Sequence, residues 1–337
     1  MHRSPPSPVR FGVLGTGRIT RRLVADLQST AGASVTAIAS RSGERARWAA
    51  DRYGIAAAVV GYEDLLSRED VDAVYVALPP ALHLPWAVAT AGHRKHLLCE
   101  KPLAAGLGDA VRIAEACRTA GVRWLDATGW LHHQRTEAIR QILRGDRLGD
   151  LTHFSASVSF FEPFQSDEHR LDKTLGGGCL LDLGWYAAGL TRFAAAGPPE
   201  SVFAHALFRH AVPRRVTAML WFPDDVTATI SCGYDTATRK WFEIAGTRAS
   251  IVCDDFTRPW PDKPARFWLH HASGEVEQHA AEGHQENAMI RRLIGEASLD
   301  DWQRQALDTQ AILEATAESI RTGVRVTLRN AERETDP

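Results

Sequence analysis

Residues 9–14 form a short apolar run that stops at Gly15-Thr16-Gly17-Arg18-Ile19-Thr20 and gives way to helical spacing as far as about Gln28. No other feature limits the fold so strongly. Strand, glycine turn and helix, in that order, is the context a dinucleotide fingerprint requires. Gly15 permits the tight turn. Gly17 lets the main chain come close to a pyrophosphate, whose charge is favoured by the N–H groups and dipole of a helix N-terminus. Thr20 stands where the fingerprint has its third glycine. Glycine turns also join strands to helices with no ligand between them.

The rhythm continues. Strands are predicted over 34–39, 56–60, 72–78, 96–99 and 123–127, with helices over 62–67, 82–91 and 107–120. Residues 72–78 (DAVYVAL) alternate poorly, as a strand covered on both faces does. Strands alternating with helices imply a doubly wound parallel sheet of the α/β class, here over residues 9–128. From about Thr128 the pattern changes. A helix over 133–144 leads into β-rich segments at 151–160, 201–210, 216–222, 226–232, 241–245, 249–253 and 266–270. Several alternate polar with apolar residues, which predicts an antiparallel sheet with one covered face. Helices over 286–296 and 302–322 follow, the last with Ala306, Leu313, Ala317 and Ile320 as its buried stripe. Residues 129–337 thus read as an α+β domain with a large, open, mostly antiparallel sheet.

Composition narrows the function classes. The 337 residues are 45% hydrophobic, enough for two cores. The formal net charge of -2 offers no basic surface to nucleic acid or anionic lipid, and no apolar run reaches the length of a membrane span. Residues 1–8 (MHRSPPSP) lack the apolar stretch of a secretory signal and read as a disordered leader. Five cysteines, Cys99, Cys117, Cys179, Cys232 and Cys253, are odd in number and form no C-x-x-C pair, which points to a reducing cytoplasm. Adjacent His132 and His133 project apart, and His270, His271, His279 and His284 lack ligand spacing, so no metal is expected.

Three segments carry the chemistry. The strand over 34–39 ends in Ser40-Arg41-Ser42, with Arg45 one turn on. An acidic residue there would hold the ribose 2′-hydroxyl of NAD. Hydroxyls and guanidinium groups instead suit a 2′-phosphate, which favours NADP over NAD; alternatively Arg41 merely starts an exposed helix. The apolar run 97–99 ends in Glu100-Lys101-Pro102. A lysine at the carboxyl edge of a parallel sheet stands where such sheets bind ligands. Downstream, Gly176-Gly177-Gly178 precedes Asp182, Gly184, Trp185 and Tyr186.

Together these pieces resemble the Gfo/Idh/MocA oxidoreductase family. The matching elements are G-x-G-x-I at 15–19, S-R at 40–41, Y-E-D-L-L at 62–66, D-A-V-Y-V-A-L-P at 72–79 with His83, C-E-K-P at 99–102, W-L-H-H at 130–133 and G-G-G-x-L-x-D-x-G-W-Y at 176–186. The resemblance implies a Rossmann domain, a second α/β domain with an open sheet, and NAD(P)-linked redox chemistry on a sugar or polyol. It implies cofactor contacts from Gly15, Thr16, Gly17, Arg18, Ile19, Ser40, Arg41 and Arg45. Further contacts are implied from Leu78, His83, Glu100, Lys101 and Trp130. Tyrosine at 186, where many members carry histidine, resembles the branch with glucose–fructose oxidoreductase, dimeric dihydrodiol dehydrogenases and D-xylose dehydrogenases, where it is the proposed acid/base. Pro80 and Gln134 depart from the family pattern.

Hydride transfer to a carbonyl needs a proton on the oxygen. A phenol of pKa ~10 is a poor base unless a nearby ammonium stabilises the phenolate. Lys101 with Tyr186 would make such a pair. Asp182, four residues before Tyr186 and on the same face of a helix, would hold a sugar hydroxyl or orient Lys101, or else serve as a cap. Trp130 is equally a stacking platform or core. A redox-silent NADP-binding regulator and a glycosidase using a retained NAD are the other function classes. An open sheet with one bare face predicts a homodimer or homotetramer.

Overall fold

The computed structural model describes residues 7–161, 163–165 and 168–328; most of the leader at 1–8 lies outside them. Contacts group the chain into two compact units. One runs through Ala104 and includes Gly108–Thr128 and Glu286–Gln303; the other holds Ala105–Leu107, Gly129–Gln285 and the chain from Arg304.

The first unit alternates strands and helices: β1 (Val9–Leu14), α1 (Thr20–Ser29), β2 (Ala33–Ser40), α2 (Gly43–Tyr53), β3 (Ala57–Val60), α3 (Tyr62–Leu66), β4 (Ala73–Val76), α4 (His83–Gly92), β5 (His96–Cys99), α5 (Leu107–Ala120) and β6 (Trp124–Asp126). The six strands pair in parallel in the order β3-β2-β1-β4-β5-β6. Order reverses beside β1, so ligand-binding loops meet at its carboxyl end. β4 and the apolar part of β5 are buried along their length because helices cover both faces.

The second unit comprises α6 (Gln134–Arg144), β7 (Leu151–Phe161), α7 (Trp185–Ala195), β8 (Ser201–Arg209), β9 (Val212–Trp221), β10 (Thr227–Gly233), β11 (Asp235–Gly246), β12 (Ala249–Cys253), β13 (Ala265–His271) and β14 (Val276–Ala281). After α8 (Gln285–Ile294) and α9 (Asp300–Thr322), β15 (Val326–Thr327) completes a nine-stranded sheet, ordered β14-β13-β12-β11-β7-β10-β9-β8-β15. Every pairing is antiparallel except β7 with β10. α7 covers β7 and β10. On the opposite face Ser157 and Ser231 join at 2.8 Å and Ser155 and Thr229 at 3.1 Å, while Phe203, Leu207 and Met219 are exposed. Both sheets of the expected architecture are thus present.

Two features differ from the linear reading. β14 alternates only weakly in the sequence VEQHAA, with every residue exposed or half-buried, so an apolar pattern could not announce it. Residues 286–303, expected in the second domain, join the first unit. Met289, Ile290, Leu293 and Leu299 share its core with Phe11, Val13 and Leu27. Arg123 ties the segment down, donating to Leu293 O at 2.8 Å and Ala297 O at 2.8 Å.

Candidate active site

At the end of β1 the chain turns through Gly15, whose φ is +105° and where a Cβ would lie 2.4 Å from the Ala77 carbonyl oxygen. Only glycine fits that turn. At Gly17 a Cβ would meet nothing within 4 Å, so its main chain faces open space. Thr20 is buried, and its hydroxyl donates to Gly15 O at 3.4 Å, closing the turn where a third glycine was absent. The first turn of α1 holds no acidic side chain, and no side chain caps it. This turn fits a pyrophosphate without a steric or electrostatic obstacle. Thr16 is half-buried; Arg18 and Ile19 are exposed beside it.

The end of β2 is arranged around hydroxyls. Ser40 is buried and accepts the Ser42 N–H at 3.3 Å; Ser42 caps α2 by accepting from Arg45 N at 3.3 Å. Arg41 and Arg45 are exposed, no acid occupies positions 40–43, and exposed Glu44 follows in the first turn of α2. Two guanidinium groups and two hydroxyls fit a 2′-phosphate better than a ribose diol.

Between β4 and β5 the structure departs from the expectation for His83. Its ring is fully buried, with Nδ1 2.9 Å from Pro102 O and Nε2 2.7 Å from Leu78 O. Burial pushes its pKa down. The neutral ring has one N–H to donate, so one of these carbonyl oxygens accepts from it and the other only packs against the second nitrogen. The buried ring is wedged between the end of β4 and the turn after β5 and is not exposed to a ligand. Leu78 is half-buried, and its Cδ2 packs over Gly15.

Lys101 is half-buried at the carboxyl edge. Glu100, expected to face the cofactor, turns inward. Its Oε1 accepts the Tyr75 hydroxyl at 2.7 Å and its Oε2 the Lys101 main-chain N–H at 3.1 Å. One strand over, buried Asp126 accepts the Thr128 hydroxyl. Burial pushes the Asp126 pKa up to about 6, with Glu100 adding to the rise and Thr128 opposing it. Tyr75, Asp126 and Thr128 were not legible as site residues, because nothing in their spacing relates β4, β5 and β6.

In the second unit Gly177 and Gly178 are sterically required. A Cβ at Gly177 would lie 2.7 Å from both Arg170 O and Asp172 O, and Gly178 has φ +110° with Pro213 Cδ 2.7 Å from such a Cβ. Leu180–Gly184 then form a π-helical turn, and α7 starts at Trp185. That i→i+5 turn removes the α-helical ground for placing Asp182 and Tyr186 on one face by spacing alone. Tyr186 is half-buried in the first turn of α7. Asp182 Oδ2 accepts from Arg170 Nε at 2.7 Å and from the Tyr234 hydroxyl at 3.1 Å. Burial works against the Arg170 charge, but Asp182 outweighs it and raises the guanidinium pKa; burial, then Asp182, raises that of the Tyr234 phenol. Phe164 lies edge-on to Tyr234 at 4.8 Å. Arg170 and Tyr234 were missed in the sequence, since they lie 12 and 52 residues from Asp182.

Trp130 is a correction. It is 2% exposed and packs edge-on against Phe193 at 5.7 Å and Phe256 at 5.3 Å. It belongs to the core of the second unit, with no open ring face. His133 caps α6, its Nδ1 accepting from Arg135 N at 3.0 Å. The Cys99 thiol is buried and its pKa is pushed up by that burial, as a core residue's is.

Comparison with known proteins agrees with this geometry. Residues 9–127 match the oxidoreductase family with an NAD-binding Rossmann fold, and residues 136–252 match the GFO/IDH/MocA C-terminal domain. A dTDP-3,4-didehydro-2,6-dideoxy-alpha-D-glucose 3-reductase of Streptomyces violaceoruber is 35% identical over 75% of each chain. A D-xylose 1-dehydrogenase (NADP(+)) of Haloferax volcanii is 33% identical, over 70% of this chain and 73% of its own. A 3-ketoreductase from Actinomadura kijaniata, solved with NADP and TDP-benzene, superposes with a TM-score of 0.85 at 28% identity, covering 93% of this chain and 98% of that one. With a glycine turn between β1 and α1, a lysine at the carboxyl edge of the first sheet and both domain matches in place, the chain belongs to the Gfo/Idh/MocA family and is an NAD(P)-dependent oxidoreductase.

Proposed function

We propose that the protein is an NADP(H)-dependent oxidoreductase that interconverts a carbonyl and a hydroxyl on a sugar or related polyol, with Lys101 and Tyr186 handling the proton. The observation that carries this reading is the carboxyl edge of the first sheet. It combines an obstacle-free phosphate turn at Gly15–Gly17, hydroxyls and guanidinium groups at the end of β2, and a lysine whose main chain is held by Glu100. Relatives named as NADP(+)-linked xylose dehydrogenase and dTDP-sugar 3-reductase support the cofactor and the sugar class.

Bound nicotinamide supplies or accepts the hydride. During reduction the Lys101 ammonium donates a hydrogen bond to the substrate oxygen and stabilises the charge that grows on it. The Tyr186 hydroxyl gives that oxygen a proton, leaving a phenolate of the kind an ammonium stabilises; oxidation runs the same transfer in reverse. Asp182, oriented by Arg170 and Tyr234, presents its carboxylate to a substrate hydroxyl.

The test is reduction of keto-sugars and oxidation of aldoses, free and nucleotide-linked, followed at the reduced-nicotinamide absorbance with NADPH or NADP+ and with NADH or NAD+. Net turnover on one of these, preferring the phosphorylated cofactor, is expected. Tightly retained NAD with no net redox change would point to the glycosidase class instead.

We also propose a homodimer or homotetramer assembled through the bare face of the nine-stranded sheet. Exposed Phe203, Leu207 and Met219 beside a hydroxyl ladder support it, since such a face invites aggregation unless a second copy covers it. A monomeric mass by sedimentation overturns this. All five cysteines are free thiols, consistent with a cytoplasmic location, and no helix among the described residues is long and apolar enough to cross a membrane.

A further inference from the structure

Arginines on the helices of this chain commonly pair with an acid one turn back, as side chains at that spacing can. Arg118 meets Glu115 at 2.6 Å, Arg321 meets Glu318 at 2.6 Å, and Arg140 pairs with Glu137. Arg47 on α2 has Glu44 at the same spacing and Asp51 four residues on, yet it forms an ion pair with no described residue. Its exposed side chain instead reaches back to the start of the helix. Nη1 lies 3.5 Å from the point where a Gly43 Cβ would stand, and Val60 Cγ2 lies 3.1 Å from that point. Val60 ends β3, is 54% exposed and pairs in register with Ser40. Gly43 directly follows Ser42, whose N–H goes to the Ser40 hydroxyl at 3.3 Å. The Arg47 guanidinium therefore stands at the carboxyl end of β2 and β3, against the turn that holds Ser40, Arg41 and Ser42. Arg41 and Arg45 are likewise exposed and in no ion pair with a described residue. Like charges gathered at one turn repel one another, and a bound phosphate monoester, close to a dianion at neutral pH, relieves that repulsion.

We infer that Arg47 is a third cation of the 2′-phosphate site and helps to set the preference for NADPH over NADH. The inference rests on the reading of the turn after β2 as that site. Spacing hides the residue, because it lies six positions beyond Arg41 and only the backward course of its side chain brings its charge to the turn. Arg47 acts on cofactor affinity and has no part in the proton transfer.

The experiment is titration of the full-length protein with NADPH and, separately, NADH, measuring Kd for wild type, Arg47→Gln and Arg41→Ala. Arg47→Gln removes the charge from an exposed helix position and keeps a polar side chain there. It should raise Kd for NADPH by about three- to tenfold, between the effect of an exposed ion pair and that of a charge-assisted hydrogen bond. Kd for NADH should stay within about twofold. The gap between wild type and Arg47→Gln on NADPH should narrow as ionic strength rises from about 0.05 to about 0.5 M, because salt screens an exposed charge. A gap that does not narrow would show that the loss is not Coulombic and would overturn the inference. So would equal weakening of both cofactors, or no change in either. If Arg41→Ala itself fails to discriminate between the cofactors, the reading of the turn falls and takes this inference with it. Selective loss in Arg41→Ala with none in Arg47→Gln overturns this inference alone.

Discussion

The Tyr75 hydroxyl donates to Glu100 Oε1 at 2.7 Å, and the other oxygen of that carboxylate takes the Lys101 N–H at 3.1 Å. A fully buried phenol on β4 thereby fixes the main chain of the lysine that follows β5. Tyr75→Phe removes one donor and leaves the carboxylate short of a partner. It should cost about 1–3 kcal/mol of stability, read by denaturant titration. kcat should fall while the Kd of NADPH holds, because the phosphate turn is a different loop. A loss of NADPH affinity equal to the loss of kcat would contradict this account.

Lys101→Ala should leave a folded protein that binds NADPH and turns over almost no substrate. Cofactor affinity by fluorescence and rate by absorbance separate the two effects. Wild-type turnover in this variant would remove the lysine from the chemistry.

Tyr186→Phe keeps the ring and deletes its only proton. General acid catalysis typically contributes about 10²–10⁴-fold, so kcat should drop by that order with little change in cofactor affinity. The pH profile of the oxidation direction should lose one ionisation. An unchanged profile and rate would leave Tyr186 as pocket wall only.

Asp126 makes a prediction about stability and pH. Its pKa is pushed from 3.8 to about 6 in the fold, so the folded state holds this proton more tightly than the unfolded chain. An acid shifted in that direction destabilises the fold as pH rises through the window from about 4 to 6, by about 3 kcal/mol in total, and no further above it. Asp126→Asn cannot ionise and escapes the penalty. The stability of Asp126→Asn minus that of wild type should therefore grow between pH 4 and 6 and then level off. Urea titrations at four pH values would reveal it; a difference that is flat across this range would contradict the shift.

Arg170→Met should leave the Asp182 carboxylate with only part of its support. Removing one partner of a buried pair typically costs about 3–5 kcal/mol. Because both side chains retain some exposure, 29% and 15%, the lower end or less is expected here. Asp182→Asn in the same chain should recover part of that loss of melting temperature. If the double variant is no more stable than Arg170→Met, the carboxylate charge is not what the arginine offsets.

The periodic parts of the chain were legible without coordinates. The pattern alone reads as strand over 9–14 and 96–99 and as helix over 107–120, and the structure has all three at those bounds. Gly15 announced itself in the sequence as the residue of a tight turn, and the structure gives it a positive φ; the crowding at Gly177 emerged only from the structure. The positive φ at Gly15 is a local constraint that spacing carries, whereas the close approach of the Ala77 carbonyl comes from the neighbouring strand.

Partnership between distant segments is not local. Arg170 and Tyr234 meet Asp182 only because a π-helical turn, a loop and a strand end converge. Trp130 and His83 looked like ligand contacts, yet packing turned one into the core and enclosed the ring of the other between two backbone carbonyls. Tyr75 on β4, Glu100 just past the end of β5 and Asp126 on β6 are brought together because the sheet order makes those strands neighbours. Local sequence determined which segments become strands, turns and helices, because backbone sterics and side-chain periodicity act within a few residues. Only the tertiary structure decided which polar side chains are buried together and which backbone carbonyls they serve, because burial and hydrogen-bond satisfaction depend on what the rest of the chain brings alongside.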